Sequence, residues 1–216
     1  MKNKFLKAAT VLFLGLAIVS CKKTKNETEA KDAEVVSQIE SEAVRYSVEI
    51  DSSTVTWKGF APTKSHNGTI KLSEGYLAFD DNKLSGGNFI IDMKTIKDLS
   101  IEDEEYNAKL EGHLKSADFF NVENNPFGVF AITGVETNGD KTMIKGNLTI
   151  KGIKKNIEFP ASVTLNGEEA SFVSELFTID RTDFNVRYGS KKFFDNLKDK
   201  FINDEFELSF EVKTIQ

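Results

Sequence analysis

The stretch IKGNLTIKGIKKNIEFPASVTLNG, residues 144–167, decides the fold. Ile144, Leu148 and Ile150 share one face of an extended chain with Gly146, while Lys145, Asn147, Thr149 and Lys151 take the other. Ile157, Phe159, Ala161, Val163 and Leu165 then repeat the alternation, and Asn166-Gly167 is a strong signal for a tight hairpin turn. A period of two with one oily face describes strands that cover a shared interior.

The same pattern extends in both directions. Val55 and Trp57 alternate with Thr54, Thr56 and Lys58; Ile70 and Leu72 are separated by Gly75 from Leu77 and Phe79. Phe89, Ile91 and Met93 follow Gly86-Gly87, a bend or bulge position, and Phe206, Leu208, Phe210 and Val212 lie opposite Glu205, Glu207, Glu211 and Lys213. The runs 127–135 and 168–180 carry apolar residues in both phases, so their inward faces cannot be assigned. One helix is expected from Glu104 to about Ser116, where acidic residues suit the N-terminus and Tyr106, Leu110, His113 and Leu114 recur at spacings of three and four. A shorter helix is expected over 192–201. Hairpin-length connections point to an all-β fold: a closed or nearly closed antiparallel barrel of about eight strands with one inserted helix.

Composition bounds the function. The 216 residues, 39% hydrophobic and 29% charged, suit one domain with a short tail. Eighteen Phe provide large apolar side chains to fill or line an interior. A net charge of −6 offers no basic face for a phosphate backbone, so nucleic acid is not an expected partner. One cysteine makes no internal disulfide and two distant histidines make a poor metal site, so neither metal nor cofactor is expected.

Lys2, Lys4 and Lys7 precede an apolar run from Ala8 to Val19, which has the form of a signal-peptide core. It ends Ile18-Val19-Ser20-Cys21, which resembles the lipobox of bacterial lipoproteins. The resemblance implies removal of residues 1–20 and acylation of Cys21, which would hold the chain on a membrane. Residues 21–44, rich in Lys, Glu, Thr and Ser, read as a flexible tether before a domain spanning 45–216. Lys22 after the cysteine is compatible with the outer-membrane sorting of enterobacterial lipoproteins, facing the periplasm; surface display stays open.

Four blocks in order resemble the YceI-like family of periplasmic lipid-binding proteins. They are Tyr46–Asp51 with Ser53–Trp57, His113–Glu123 with Asn125-Pro126 and Phe130, Lys145–Gly152, and Asp180–Asn185. Asn185 stands where the family usually has Gly, a mild change if that position is left-handed. The resemblance implies a lipocalin-like antiparallel barrel enclosing a polyisoprenoid or similar amphiphilic lipid, and the lack of a convergent nucleophile-and-base constellation in the sequence points away from an enzyme. Inward-phase positions then supply the expected ligand-binding lining: Trp57, Phe89, Ile91, Phe130, Leu148 and Ile150, together with Phe159, Phe172, Phe206, Leu208 and Phe210. Phe119 and Phe120 are expected to anchor the helix end at the mouth. Asp118, Arg181 and Asp183 are candidates for polar positioning there, or for a hydrogen-bonded turn. Two rivals stay open: an envelope lipoprotein whose barrel is filled by its own Phe side chains, and an enzyme using His66, His113, Asp118 or Asp183, none of which falls in a nucleophile motif. A homodimer also stays open.

Overall fold

The structure, a computed structural model, describes residues 28–36, 39, 42–138 and 141–216. The apolar run 8–19 and the acylation candidate Cys21 lie outside the described residues. Strands β1 (Lys31–Asp32), β2 (Val44–Val48), β3 (Thr54–Ala61), β4 (Lys64–Asp80), β5 (Lys83–Asp92) and β6 (Lys97–Asp98) precede helix α1 (Glu104–Lys115). After it come β7 (Phe127–Asn138), β8 (Lys141–Ile150), β9 (Ile153–Asn166), β10 (Glu169–Ser174), β11 (Phe177–Asp180) and β12 (Glu205–Ile215).

Eight of these strands close a ring by antiparallel pairing. The path β3–β4–β5–β7–β8–β9–β10–β12 returns to β3 through partners running from Phe206↔Gly59 to Glu211↔Thr54. It is an irregular ring, not a clean barrel. Along its second half β12 pairs with β10, but along its first half it pairs with β11, which has no other strand partner among the described residues. A seam therefore runs between β11 and the first half of β9.

The N-terminal segment bridges this seam. Thr28 donates its N–H to the Thr178 carbonyl and its hydroxyl to the Glu158 carbonyl. Lys31 and Asp32 pair with Asn156 and Lys155, and the Asn147 side chain takes both backbone groups of Glu34, at 3.0 and 2.6 Å. The reading of 21–44 as a tether free throughout is thus corrected for residues 28–36. Their charged side chains are exposed to solvent, but backbone hydrogen bonds and a buried asparagine hold them, and neither leaves a trace in hydropathy.

Two bulges explain phases that alternation alone could not follow. The register of β4 against β5 shifts between Leu72 and Glu74. Ile70 and Leu72, then Leu77 and Phe79, all face inward within one continuous strand, so Gly75 does not separate two strands. A second shift between Ile132 and Gly134 resolves the 127–135 run. In β11, Phe177, Thr178 and Ile179 are all buried; the bridging N-terminal segment covers part of the face that would otherwise meet water.

Gly146 is required by a close approach. A Cβ there would lie 2.3 Å from Phe130 Cζ, so the missing side chain makes room for the ring across the β7–β8 pair. Gly146→Ala should push Phe130 out of place and cost about 1–3 kcal/mol, read as a lower urea midpoint at unchanged slope.

Helix α1 begins where the acidic residues indicated, with the Asp103 carboxylate accepting from Tyr106 N–H. Leu114 is buried and Leu110 packs against the core, whereas Tyr106 is exposed, because the inner face turns through Glu111 instead. The second expected helix is reduced to a single 3-10 turn at Lys198–Lys200. Asn196 and Lys198 adopt left-handed backbone there, at φ 62° and 49°, which interrupts any helix. Asn185 is left-handed too, at φ 58°, ψ 28°, so the residue replacing Gly occupies a conformation that asparagine tolerates.

Candidate apolar binding cavity

The inward side chains divide the ring into a packed end and a hollow end. At the packed end Phe89, Phe130, Phe159, Phe172, Phe177 and Phe210 interlock, each no more than 1% exposed. Phe159 and Phe177 stack in parallel with centroids 4.2 Å apart, and Phe130 lies 5.3 Å from both Phe159 and Phe210. Aromatic pairs at these separations leave no passage between them.

Beyond Phe210 the interior opens into a cavity of about 90 Å³. Its walls come from opposite sides of the ring: Trp57 of β3, Ile91 of β5, Leu148 and Ile150 of β8, and Phe206, Leu208 and Phe210 of β12. Leu114 of α1, the following Phe119 and Phe120, and Ile202 before β12 also line it. The lining is almost wholly apolar, and its polar members are Arg181 and Asn203.

Seven of the eleven side chains expected to line a pocket stand on this wall. The other four, Phe89, Phe130, Phe159 and Phe172, belong to the packed end, which corrects the expectation that inward phase identifies the lining. Residues two apart on a strand face the same interior about 7 Å apart in height, and alternation carries no information about height. Val55 and Ile70 were legible from alternation as inward. Met93 was legible from the same alternation with Phe89 and Ile91, whereas Ile96 and Ile202 lie in irregular connections with no period to reveal them.

The polar candidates separate as well. Asp118 and Asp183 are exposed and do not line the cavity. Arg181 is 2% exposed and works as a clamp. Its Nε donates to Asn203 O at 2.9 Å, one terminal nitrogen to Val186 O at 2.7 Å, and the other to Ile202 O at 3.0 Å and Asp204 at 3.3 Å. The guanidinium therefore clips together both feet of the loop between Val186 and Ile202, a compact surface loop closed at its base. Burial pushes its pKa down, opposed by Asp204 and Asp180. Beside it, burial acts to raise the Asp180 pKa, but hydrogen bonds from Lys192 and Thr182 outweigh that and hold the carboxyl below its ordinary value. Arg181→Lys keeps the charge but not the fork of donors. It should cost about 2–4 kcal/mol through stranded carbonyls and speed hydrogen exchange selectively over 187–201.

The histidines hold structure. His66 lies on β4, with Nδ1 3.0 Å from Ser100 Oγ and 3.8 Å from an Asp98 oxygen. These are Ser, His and Asp side chains, but their order is not that of a nucleophile relay. Ser100 donates directly to Asp98, both meet the same histidine nitrogen, and Asp98 also takes the Ser100 and Ile101 N–H groups to build a turn. Burial lowers the His66 pKa, as does Lys64, against Asp98. His113 packs edge-on to Tyr188 at 4.5 Å and to Phe119 at 5.9 Å, joining α1 to the clamped loop.

Comparison with known proteins follows the same outline. The YceI-like domain matches residues 46–214. A UPF0312 protein from Pseudomonas putida strain KT2440 is 31% identical over 129 residues, 56% of this chain and 64% of its own length; another from Pectobacterium atrosepticum is 32% identical over 125 residues, covering 55% and 62%. The chain thus spans less than two thirds of these curated relatives. Among solved structures, Burkholderia cenocepacia BcnA superposes with a TM-score of 0.61 at 25% identity, over 77% of this chain and 98% of that one. A domain from Saccharophagus degradans described as polyisoprenoid-binding superposes at 0.57 with 12% identity, over 79% and 97%, a likeness of fold.

Proposed function

The chain belongs to the YceI-like domain family, and on that premise we propose that it binds the hydrocarbon part of a long apolar amphiphile, a polyisoprenoid or similar lipid, and carries or sequesters it in the bacterial cell envelope. The observation that carries this reading is the cavity: almost wholly apolar, closed at one end by Phe rings, and rimmed at the other by a helix end and a clamped loop. Such a site removes hydrocarbon from water without breaking a bond.

Magnitudes define how it would work. At about 0.8 kcal/mol per buried CH₂, a chain of roughly forty carbons would nominally gain about 30 kcal/mol, beyond the ceiling of about 18–21 kcal/mol for non-covalent binding. The full sum is not reached here. Ligand pockets usually enclose about 300–1,000 Å³, and 90 Å³ admits only a short stretch of hydrocarbon. Uptake of more requires the rim residues Phe119, Phe120 and Ile202 to move aside. Against a membrane instead of water the net gain is smaller again, which suits a carrier that must release its cargo.

In this reading an acylated Cys21 holds the protein at the outer membrane, facing the periplasm. The rival, a barrel filled by its own side chains, draws on the packed Phe end, but that end accounts for one part of the interior only. Native mass spectrometry of the full chain purified from envelopes separates the two. A co-purifying apolar molecule near one per protein is expected; its repeated absence, with no uptake of a fluorescent polyisoprenoid, favours the filled barrel.

A further inference from the structure

The loop clipped by Arg181 differs from the rest of the surface. Residues 187–201 hold five Lys or Arg against two Asp, in a chain whose net charge is −6. Tyr188, Phe193 and Phe194 stand 43–48% exposed on the same loop. Arg187 lies 4.4 Å over the Phe193 ring and Lys191 3.4 Å over Phe201, so cation and aromatic groups are interleaved. Lys192 is engaged by Asp180 and Asp204, with Asp183 also acting on it. Arg187, Lys191, Lys198 and Lys200 remain as cations on the exposed surface.

We propose that this loop docks the cavity rim on an anionic phospholipid bilayer. Aromatic rings beside Lys and Arg match the interface between headgroups and acyl chains, the rings entering and the cations staying at phosphate level. Each cation near an anionic leaflet adds attraction, and Arg187, Lys191, Lys198 and Lys200 outnumber the loop's two exposed carboxylates, Asp195 and Asp199, two to one. The loop also sits where docking is useful, because Ile202 at its foot lines the cavity and Tyr188 meets α1 through His113.

The N-terminal segment bears on distance to the membrane. Thr28 is fixed to Thr178, two residues before Asp180 on the strand that leads into the clamp. Seven residues from Cys21 to Thr28 reach at most about 25 Å, so an acylated Cys21 would keep the domain close to the bilayer and leave to the loop which end faces it. Docking gives the cargo reading a route from lipid to cavity that avoids water; it rests on that reading for its purpose and not for its test.

The test uses the full chain carrying Phe194→Trp, with Ile215→Trp as control because Ile215 is exposed at the opposite end of β12 from the rim. Each is mixed with vesicles of brominated phosphatidylcholine, with or without one quarter phosphatidylglycerol, and the parent signal from Trp57 is subtracted. A tryptophan at 194 should be quenched at least twofold by anionic vesicles at low salt. That quenching should vanish in 0.5 M NaCl or with Lys191→Glu and Lys198→Glu, while a tryptophan at 215 stays unquenched. Quenching at both positions, at neither, or equally on neutral vesicles would overturn the docking proposal. No cargo is present, so this failure is separate from a failure to bind isoprenoid.

Discussion

Leu148→Trp is expected to abolish lipid uptake while leaving a folded protein. Leu148 is 1% exposed, lies opposite Phe130 in the β7–β8 pairing, and presents its side chain to the cavity. An indole there occupies space that the proposed ligand would take, in a cavity of only about 90 Å³. The backbone pairing of β8 with both neighbours does not depend on that side chain, so the stability cost should stay within about 1–3 kcal/mol. Binding of a fluorescent polyisoprenoid should weaken at least tenfold, with circular dichroism and the urea midpoint showing that the ring survives. Unchanged affinity in the folded variant would place the ligand elsewhere.

Phe159→Ala should act on the other half of the interior and mainly on stability. Phe159 touches Phe130, Phe172, Phe177 and Phe210, with the Phe177 ring stacked parallel at 4.2 Å. Removing a buried ring from such a cluster costs about 3–5 kcal/mol, a large share of the roughly 5–15 kcal/mol that holds a domain folded. The melting temperature should fall by roughly 6–20 °C at this domain size. The contrast between the variants is the diagnostic feature, since Leu148 and Phe159 are neighbours in sequence pattern but sit at different heights in the ring. A filled barrel predicts that both act through stability alone.

That contrast also shows what the chain discloses before its structure is known. The period of two in 144–165 marks strands and their oily face, because burial on one side of a sheet must appear at alternate residues. Asn166-Gly167 and Asp103 mark a hairpin and a helix start through local backbone chemistry. Height along the ring leaves no such mark, so Phe159 and Leu148 look alike. The bulges at Ser73 and Thr133 are equally silent, since one extra residue changes phase without requiring a special side chain. Residues 28–36 are held by backbone pairing and by Asn147, whose amide imitates a strand edge. Arg181 was legible as a polar residue near the rim, but its partners are the carbonyls of Val186, Ile202 and Asn203, which no side-chain pattern encodes.

Trp57 provides the most direct measurement. It is the one tryptophan of the chain and it lines the cavity, with its indole N–H held 3.2 Å from the Lys97 carbonyl. Titration with a brominated polyisoprenoid should quench its emission saturably, near one ligand per chain, and Leu148→Trp should remove the saturable phase. An emission that stays constant while the same ligand binds, or that never responds at any concentration, would contradict a hydrocarbon-binding interior.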